Sequence, residues 1–367
     1  MNKSINDLCF VISGGTPKTS NPSYWNGHIP WLSIKDFIST NRYVYTAEKT
    51  VTKLGLSNSA ANLLQVNDII ISARGTVGKL AIVSNPMAFN QSCYGIRTKD
   101  PKILNQIYLY YWLLSHTQDI QIGTHGAVFD TITRNDFDRL IMDVPAIQSQ
   151  LHIVNTLGSV DDLIENLQNQ TRKIITIGEL LLQQNSINES IIKYADILLG
   201  GTPSRKHPEY WNGSIKWINS GAITGTPSIQ KESEFITLDG VNNSATKCAN
   251  EGDSVLSIIE PSKNKVAIVL DDNVYFNQSV ICLHSKNKNL QGLIYFSSRL
   301  LIDRIKGYAT GAAQQSLNKD IFEKEDILVP PRHIVYKLNN FLLNIVNNEK
   351  QIRKLKFIKE KLLEKYF

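Results

Sequence analysis

A chain of 367 residues, 42% hydrophobic and 20% charged with a net charge of +6, has a folded protein's composition and exceeds what one ordinary core serves. No apolar run is long enough to span a bilayer. Leu8 to Ile12 is too short for a signal-peptide core and lacks a basic flank and a cleavage site, so the expected compartment is the cytoplasm. Cys9, Cys93, Cys248 and Cys282 show no C-x-x-C pair and no regularly spaced partner His, which argues against a disulfide framework and a zinc site. The net charge lies wholly in 331–367, where nine Lys and Arg face three Glu; the rest of the chain is neutral, so any DNA contact there must come from local clusters.

The chain opens with Gly14-Gly15-Thr16-Pro17, Pro22, Tyr24-Trp25-Asn26-Gly27, Ile29 and Trp31. This pattern predicts a Gly/Pro turn, a loop, an aromatic-anchored tight turn at Asn-Gly and a strand beginning near Ile29. The β-branched run Val66 to Ser72 predicts a buried strand, followed by the loop Arg74-Gly75-Thr76-Val77-Gly78-Lys79 and a strand over Leu80 to Val83. Phe89-Asn90-Gln91-Ser92, a helix over about 105–116, Gly126-Ala127, Asp136-Phe137 and Val144-Pro145 complete the segment.

The same order then recurs. Gly200-Gly201-Thr202-Pro203, Pro208, Tyr210-Trp211-Asn212-Gly213, Ile215 and Trp217 match the opening without a gap, each pair 186 positions apart. Gly252 to Leu256, Ala267 to Val269, Phe276-Asn277-Gln278-Ser279, a helix over about 291–302, Gly311-Ala312, Phe322 and Val329-Pro330 follow. The chain is a tandem duplication of one fold.

Each Val-Pro leads into a stretch of another kind. Ile153, Leu157, Val160, Ile164, Leu167, Thr171, Ile174, Gly178 and Leu181 hold a 4-3 spacing, as do Leu338, Phe341, Ile345, Asn348, Ile352, Leu355, Lys359, Leu362 and Tyr366. Both predict coiled-coil helices of roughly 35 residues, about 50 Å long. Each has one apolar stripe to bury, and the other copy is the natural partner. Polar or weak seam positions at Thr171, Gly178, Asn348 and Lys359 are candidates to fix the register. The predicted fold class is α+β: a domain over 1–145, a helix over 146–185, a domain over 186–330 and a helix over 331–367. The two domains are related by pseudo-two-fold symmetry and separated by two long antiparallel coiled-coil helices.

No catalytic, metal or cofactor constellation emerges. Asn21-Pro22-Ser23-Tyr24 resembles the adenine-holding element of amino-methyltransferases, yet its copy reads His207-Pro208-Glu209-Tyr210 and no glycine-rich cofactor turn precedes either. Gly75 to Lys79 lacks the first glycine of a P-loop, and Leu80 stands where Ser or Thr would hold Mg²⁺. There is no H-E-x-x-H, no Gly-x-Ser-x-Gly and no nuclease-type carboxylate motif.

What remains are polar loops of the kind that read DNA. Lys18, Thr19 and Ser20 match Ser204, Arg205 and Lys206. Arg74, Thr76 and Lys79 match Ser262, Lys263, Asn264 and Lys265, and Asn90 and Gln91 match Asn277 and Gln278. Arg and Lys suit guanine edges or phosphates, Asn and Gln suit adenine. Tyr24, Trp25, Trp31 and their copies are read as core or loop-anchoring residues.

The doubled opening, Ser72-Ala73-Arg74-Gly75-Thr76 with Gly78, the Phe-Asn-Gln pair and the Val-Pro exits into long helices together resemble the specificity subunit of type I restriction-modification enzymes, over nearly the whole chain. The resemblance implies two target-recognition domains, each reading half of a bipartite site on double-stranded DNA. It implies a helical spacer that docks methyltransferase subunits, two of them, with restriction subunits as further partners. It departs from the family at Ala146 to Gln150 and at Pro331-Arg332-His333, where Pro-x-x-Glu-Gln is usual, and at Glu260-Pro261-Ser262-Lys263, which replaces Arg-Gly-Thr. The alternative is a standalone DNA methyltransferase or nuclease, which purified chain with labelled methyl donor would reveal.

Overall fold

The computed structural model describes residues 2–37, 42–117, 131–309 and 316–367. Gly126-Ala127 and Gly311-Ala312 lie outside the described residues. The chain divides into two compact units, Met1–Glu165 with Phe357–Phe367, and Asn166–Lys356.

In the first unit a five-stranded sheet runs in the order Cys9–Ser13, Cys93–Thr98, Ile69–Ser72, Leu80–Val83 and Tyr43–Val44. All its pairings are antiparallel except that of Tyr43–Val44 with Leu80–Val83. Strand alternation sends Ile69 and Ile71 into one core, with Tyr108, Leu109 and Leu113 of the helix Gln106–Ser115. It sends Ile70 into another, with Leu32, Leu64 and Phe89 of a second, four-stranded sheet. Burial on both faces is why the run reads as continuous Ile. The strand is shorter than its β-branched run, however: Asn67 takes a φ of 70° in a turn, and pairing begins at Ile69.

The second unit repeats this plan. Its main sheet is ordered Ala195–Leu199, Val280–Ser285, Ser254–Ser257, Val266–Ile268, with the helix Gln291–Ile305 on one face. The other face packs on the sheet that holds Trp211–Ile218 and Val274–Phe276.

The Asn-Gly element differs from its expected form in both units. It lies inside the strands Trp25–Leu32 and Trp211–Ile218, as a bulge and not as a tight turn before them. Trp25 and Ile29 both pair with Val51, and Trp211 and Ile215 both pair with Ile236. Asn26 and Asn212 accept the left-handed conformation at φ of 59° and 61°, which Asn tolerates because its short side chain bonds locally. The following glycine passes against the neighbouring strand's backbone, where a side chain would collide.

The long helices are Ile147–Leu182 and Arg332–Tyr366. They run antiparallel: in the first unit Lys359 Nζ lies 2.7 Å and 3.0 Å from the two Asp161 carboxylate oxygens, and in the second Asn348 Nδ2 donates to Thr171 Oγ1 at 3.3 Å. Gly178 faces the Phe296 ring, which leaves no room for a Cβ. The inner stripe is not the strict 4-3 seam. Val160, Leu167, Ile174 and Leu181 are half-buried, and Asp161, Ile175 and Leu182 take the inner places; on the second helix Phe341 yields to Leu342, and Glu349 is buried. A straight helix drifts about 20° per heptad from a 3.5-residue repeat. Here the same stripe also enters the domain cores, with Leu157 in one and Ile175 and Leu182 in another. Gln150, fully buried where the expected docking motif departs, accepts from Asn105 N at 2.8 Å and donates to the carbonyls of Ile103 and Pro145.

Candidate nucleic-acid interface

Antiparallel pairing decides which loops share an end of the main sheet. In the first unit Tyr94 pairs with Ser13 and Cys93 with Ser72, so the loop after Ser13, the Asn90–Ser92 turn and the loop after Ser72 emerge together. They are tied to one another. Gly15 N donates to the Phe89 carbonyl at 2.9 Å, Thr16 Oγ1 donates to Gln91 Oε1, and Ala73 N donates to the Ser92 carbonyl at 2.8 Å. A Cβ on Gly14 would collide with the Asn90 carbonyl, so only glycine lets these loops approach so closely.

Two tryptophans hold the first loop from below. Trp31 Nε1 donates to the Gly15 carbonyl at 3.0 Å and Trp25 Nε1 to the Lys18 carbonyl at 3.3 Å, the rings meeting edge to face at 5.2 Å. The Arg74 loop is organised by Ser72, whose hydroxyl donates to the Thr76 carbonyl and accepts from Lys79 N at 2.8 Å. Val77 plugs the loop into the core while Arg74, Thr76 and Lys79 remain exposed. Gly75 and Gly78 take φ of 76° and 83°, where an L side chain would be strained.

The second unit builds the same frame. Leu199 pairs with Ile281 and Ser257 with Val280, which again brings three loops together. Gly201 N donates to the Phe276 carbonyl at 3.0 Å and Thr202 Oγ1 to Gln278 Oε1 at 2.6 Å. Trp217 and Trp211 donate to the Gly201 and Ser204 carbonyls, both at 3.4 Å, with their rings 5.3 Å apart. The third loop departs: Glu260 takes a φ of 49°, Pro261 is buried and Lys263–Lys265 form a short turn of 3-10 helix.

The candidate residues therefore divide. Lys18, Thr19, Ser20, Arg74, Thr76 and Lys79 are exposed at the shared end of the first unit, and Ser204, Lys206 and Asn264 are exposed in the second, with Ser262 and Lys265 half-buried. Among the described residues, Lys18, Arg74, Lys79, Lys206 and Lys265 have no ion-pair partner. Arg205 is engaged within the protein. Its guanidinium lies 3.5 Å from the centroid of the Trp211 ring and bonds both carboxylate oxygens of Glu234, at 2.7 Å and 2.5 Å. Lys263 turns away from the loop cluster, 3.5 Å from Glu179 of the first long helix and 3.9 Å from Asp303. Asn90 and Asn277 build turns, their side-chain oxygens accepting from Ser92 N and Ser279 N at 3.1 Å and 3.0 Å. Gln91 and Gln278 are exposed beside them.

Beneath the loops the units differ in charge. Buried Asp68 pairs with Arg97 through two hydrogen bonds, at 2.8 Å and 2.5 Å. The corresponding pair is Asp253 with His284 at 2.9 Å, and burial pushes the Asp253 carboxyl up against the pull of His284. Neither lies on the loops. Burial pushes the thiols of Cys9 and Cys93 up to about 12 and raises that of Cys282 well above its ordinary value, which disfavours the reactive thiolate at all three. Among the described residues no group of three or more His, Cys, Asp or Glu could hold a metal, and no helix is long and apolar enough to cross a membrane.

Thr16 and Thr202, the donors of the Thr-Gln bonds, and Ser72, the hub of the Arg74 loop, stand in the sequence motifs without being candidate site residues there. The signal for the first two was present, since Thr and Gln recur together in both copies.

The model of the type I restriction modification DNA specificity domain matches residues 1–176 and again 192–356. The chain belongs to that family. Its members are DNA-recognition subunits and not the catalysts of type I systems, and this chain carries two such domains in tandem. The MjaIX specificity subunit of Methanocaldococcus jannaschii is 23% identical, over 99% of this chain and 91% of that relative. The EcoR124I/EcoR124II specificity subunit of Escherichia coli is 28% identical over 45% of this chain and 42% of its own length. Among solved structures, a type I S subunit from M. genitalium shares the fold with a TM-score of 0.56 at 15% identity, covering 100% of this chain and 96% of that one.

Proposed function

We propose that this specificity subunit reads an asymmetric bipartite sequence on double-stranded DNA, one half-site per domain, in the cytoplasm. The domains are those over 1–145 and 186–330. The helices over 146–185 and 331–367 act as the spacer on which two methyltransferase subunits dock, with restriction subunits as further partners. One observation carries the reading: both units tie the Gly-Gly loop to the Phe-Asn-Gln turn in the same way, yet the loop residues beside that tie differ, Arg74-Gly75-Thr76 against Glu260-Pro261-Ser262 and Lys18-Thr19-Ser20 against Ser204-Arg205-Lys206. A symmetric reader selects palindromic half-sites; unlike loops on a common frame select unlike ones.

Arg74 is the residue of choice for a guanine edge, since its side chain is exposed, positively charged and without an ion-pair partner among the described residues. Helices of 36 and 35 residues are about 50 Å long at 1.5 Å per residue. That corresponds to about one and a half turns of B-DNA between half-sites. Co-expression with the cognate methyltransferase subunit, followed by genome-wide mapping of methylated adenines, tests the reading. The expected result is a gapped motif with unlike halves, and a palindromic motif overturns it.

A further inference from the structure

We infer that Gln91 with Thr16, and Gln278 with Thr202, form a duplicated phosphate clamp that holds the DNA backbone and reads no sequence. The inference rests on the proposed DNA-facing role of these loops and divides the labour within it.

The first argument is chemical. Bidentate recognition of adenine by Asn or Gln needs the amide oxygen as acceptor together with the amide N–H₂ as donor. In both units that oxygen already accepts one hydrogen bond. Gln91 Oε1 and Gln278 Oε1 accept from the hydroxyls of Thr16 and Thr202, and Asn90 and Asn277 accept from backbone N–H groups. Each glutamine oxygen thus has one lone pair engaged and its direction set by the threonine, while the N–H₂ is the group left wholly free on the exposed side chain. Such a donor fits a phosphate oxygen as well as a base acceptor, and the comparison of the two units favours the phosphate.

The second argument is comparative. Two domains that read unlike half-sites share one invariant feature of their ligand, the phosphate backbone. Residues that are the same in kind and geometry in both domains fit that feature, and residues that differ fit the bases. Gly-Gly-Thr-Pro and Phe-Asn-Gln-Ser are the same in both, down to the Thr-Gln bond, while the loops beside them are not. Each Gly-Gly loop also carries an exposed lysine with no ionic partner among the described residues, Lys18 in the first and Lys206 in the second, at positions that do not match, so the lysines belong to the variable part of the loops and not to the shared frame. The clamp therefore rests on the amide and hydroxyl groups that both units share.

The test uses the specificity subunit assembled with its methyltransferase subunits, with anisotropy titrations on the cognate duplex and on a scrambled duplex. Gln91→Glu keeps an oxygen for the Thr16 hydroxyl and replaces the outward donor by an anion, so the loop frame is retained. Gln91→Glu and Gln278→Glu are each expected to weaken both duplexes by the same factor, on the order of tenfold, with the methylated motif unchanged. A neutral methylphosphonate at the contacted position should remove most of the difference between wild type and variant. Gln91→Glu that leaves scrambled DNA unaffected but relaxes discrimination at the first half-site makes Gln91 a base reader and overturns the inference. Should Gln91→Glu and Gln278→Glu be silent while Arg74→Ala still relaxes the first half-site, the clamp fails and the DNA-facing role survives. If all three are silent, that role itself fails.

Discussion

The two units spend their duplicated sequence differently at the loop end and at the helix. At the loop end two of the three loops keep the same ties, with the Trp25–Trp31 pair answered by Trp211–Trp217. Where the domains meet the long helices, the copies have gone separate ways. In the first unit buried Arg42 pairs with Asp162 and lies near Glu165, and Tyr111 donates to Asp161, which also holds Lys359. In the second, Ser228 and Gln230 donate to buried Glu349, and Phe296 fills the space against Gly178. Geometry that must present a loop at a fixed angle is retained, while packing that must only be filled and satisfied drifts in chemistry.

The largest expected effect contrasts the polar pairs that fix the helix register. Lys359→Met strips Asp161 of its ammonium partner in a site with little access to water, and a buried charge left unpaired costs about 3–5 kcal/mol. Asn348→Ala removes a neutral hydrogen bond to Thr171, worth about 1 kcal/mol. Urea unfolding of both variants checks the order, and equal losses would erase the distinction between a charged and a neutral register pin.

Next come two glycines of the first long helix. Gly178→Ala drives a methyl into the Phe296 ring and is expected to destabilise by about 1–3 kcal/mol. Gly158→Ala meets nothing closer than Arg42 Nη1 at 3.6 Å and should stabilise by up to about 1 kcal/mol through helix propensity. Thermal melts that fail to separate the two would show that Phe296 moves aside.

At the reading end, Arg74→Ala should reduce discrimination at the first half-site by about 1–3 kcal/mol. Arg205→Ala removes an exposed pair with Glu234 and should change the second half-site's discrimination by less than about 1 kcal/mol. Binding to single-base variants of each half-site measures both.

The smallest effect concerns pH. Burial holds the Glu349 carboxyl above its ordinary value, so folding favours its protonated form. That contribution is present at acid pH and is lost as pH rises through the raised value. Glu349→Gln keeps a neutral partner for Ser228 and Gln230. It should be at least as stable as wild type at neutral pH, with the advantage vanishing toward acid, as paired urea melts would report. An advantage growing toward acid would contradict the sign.

The repeat, the paired strands and the two long helices were legible in the sequence because each is written in local pattern: β-branched runs, 4-3 spacing, and Gly-Gly and Asn-Gly landmarks. Asn26 was recognised as a turn residue but not as a bulge, since that depends on Val51 accepting two partners on another strand. Arg205 looked free because Glu234, which claims it, lies 29 positions away. The burial of Asp161 and Glu349 has no local sign in the sequence, since it depends on Tyr111, Lys359, Ser228 and Gln230 arriving from distant segments.

The first unit is assembled from two separated stretches, and this bears on synthesis. Tyr108 meets the ring of Phe367 at 5.4 Å, and Leu362, Leu363 and Tyr366 pack on the same core, while Lys359 neutralises Asp161. A ribosome that has made Glu165 must translate the whole of Asn166–Lys356 before those side chains exist. At ~5–20 residues per second the delay is on the order of ten to forty seconds. For that interval the nascent first unit carries a carboxylate without its ammonium and an apolar surface without its cover, so the later-made unit is free to complete its own sheets and most of its core before the earlier one is sealed.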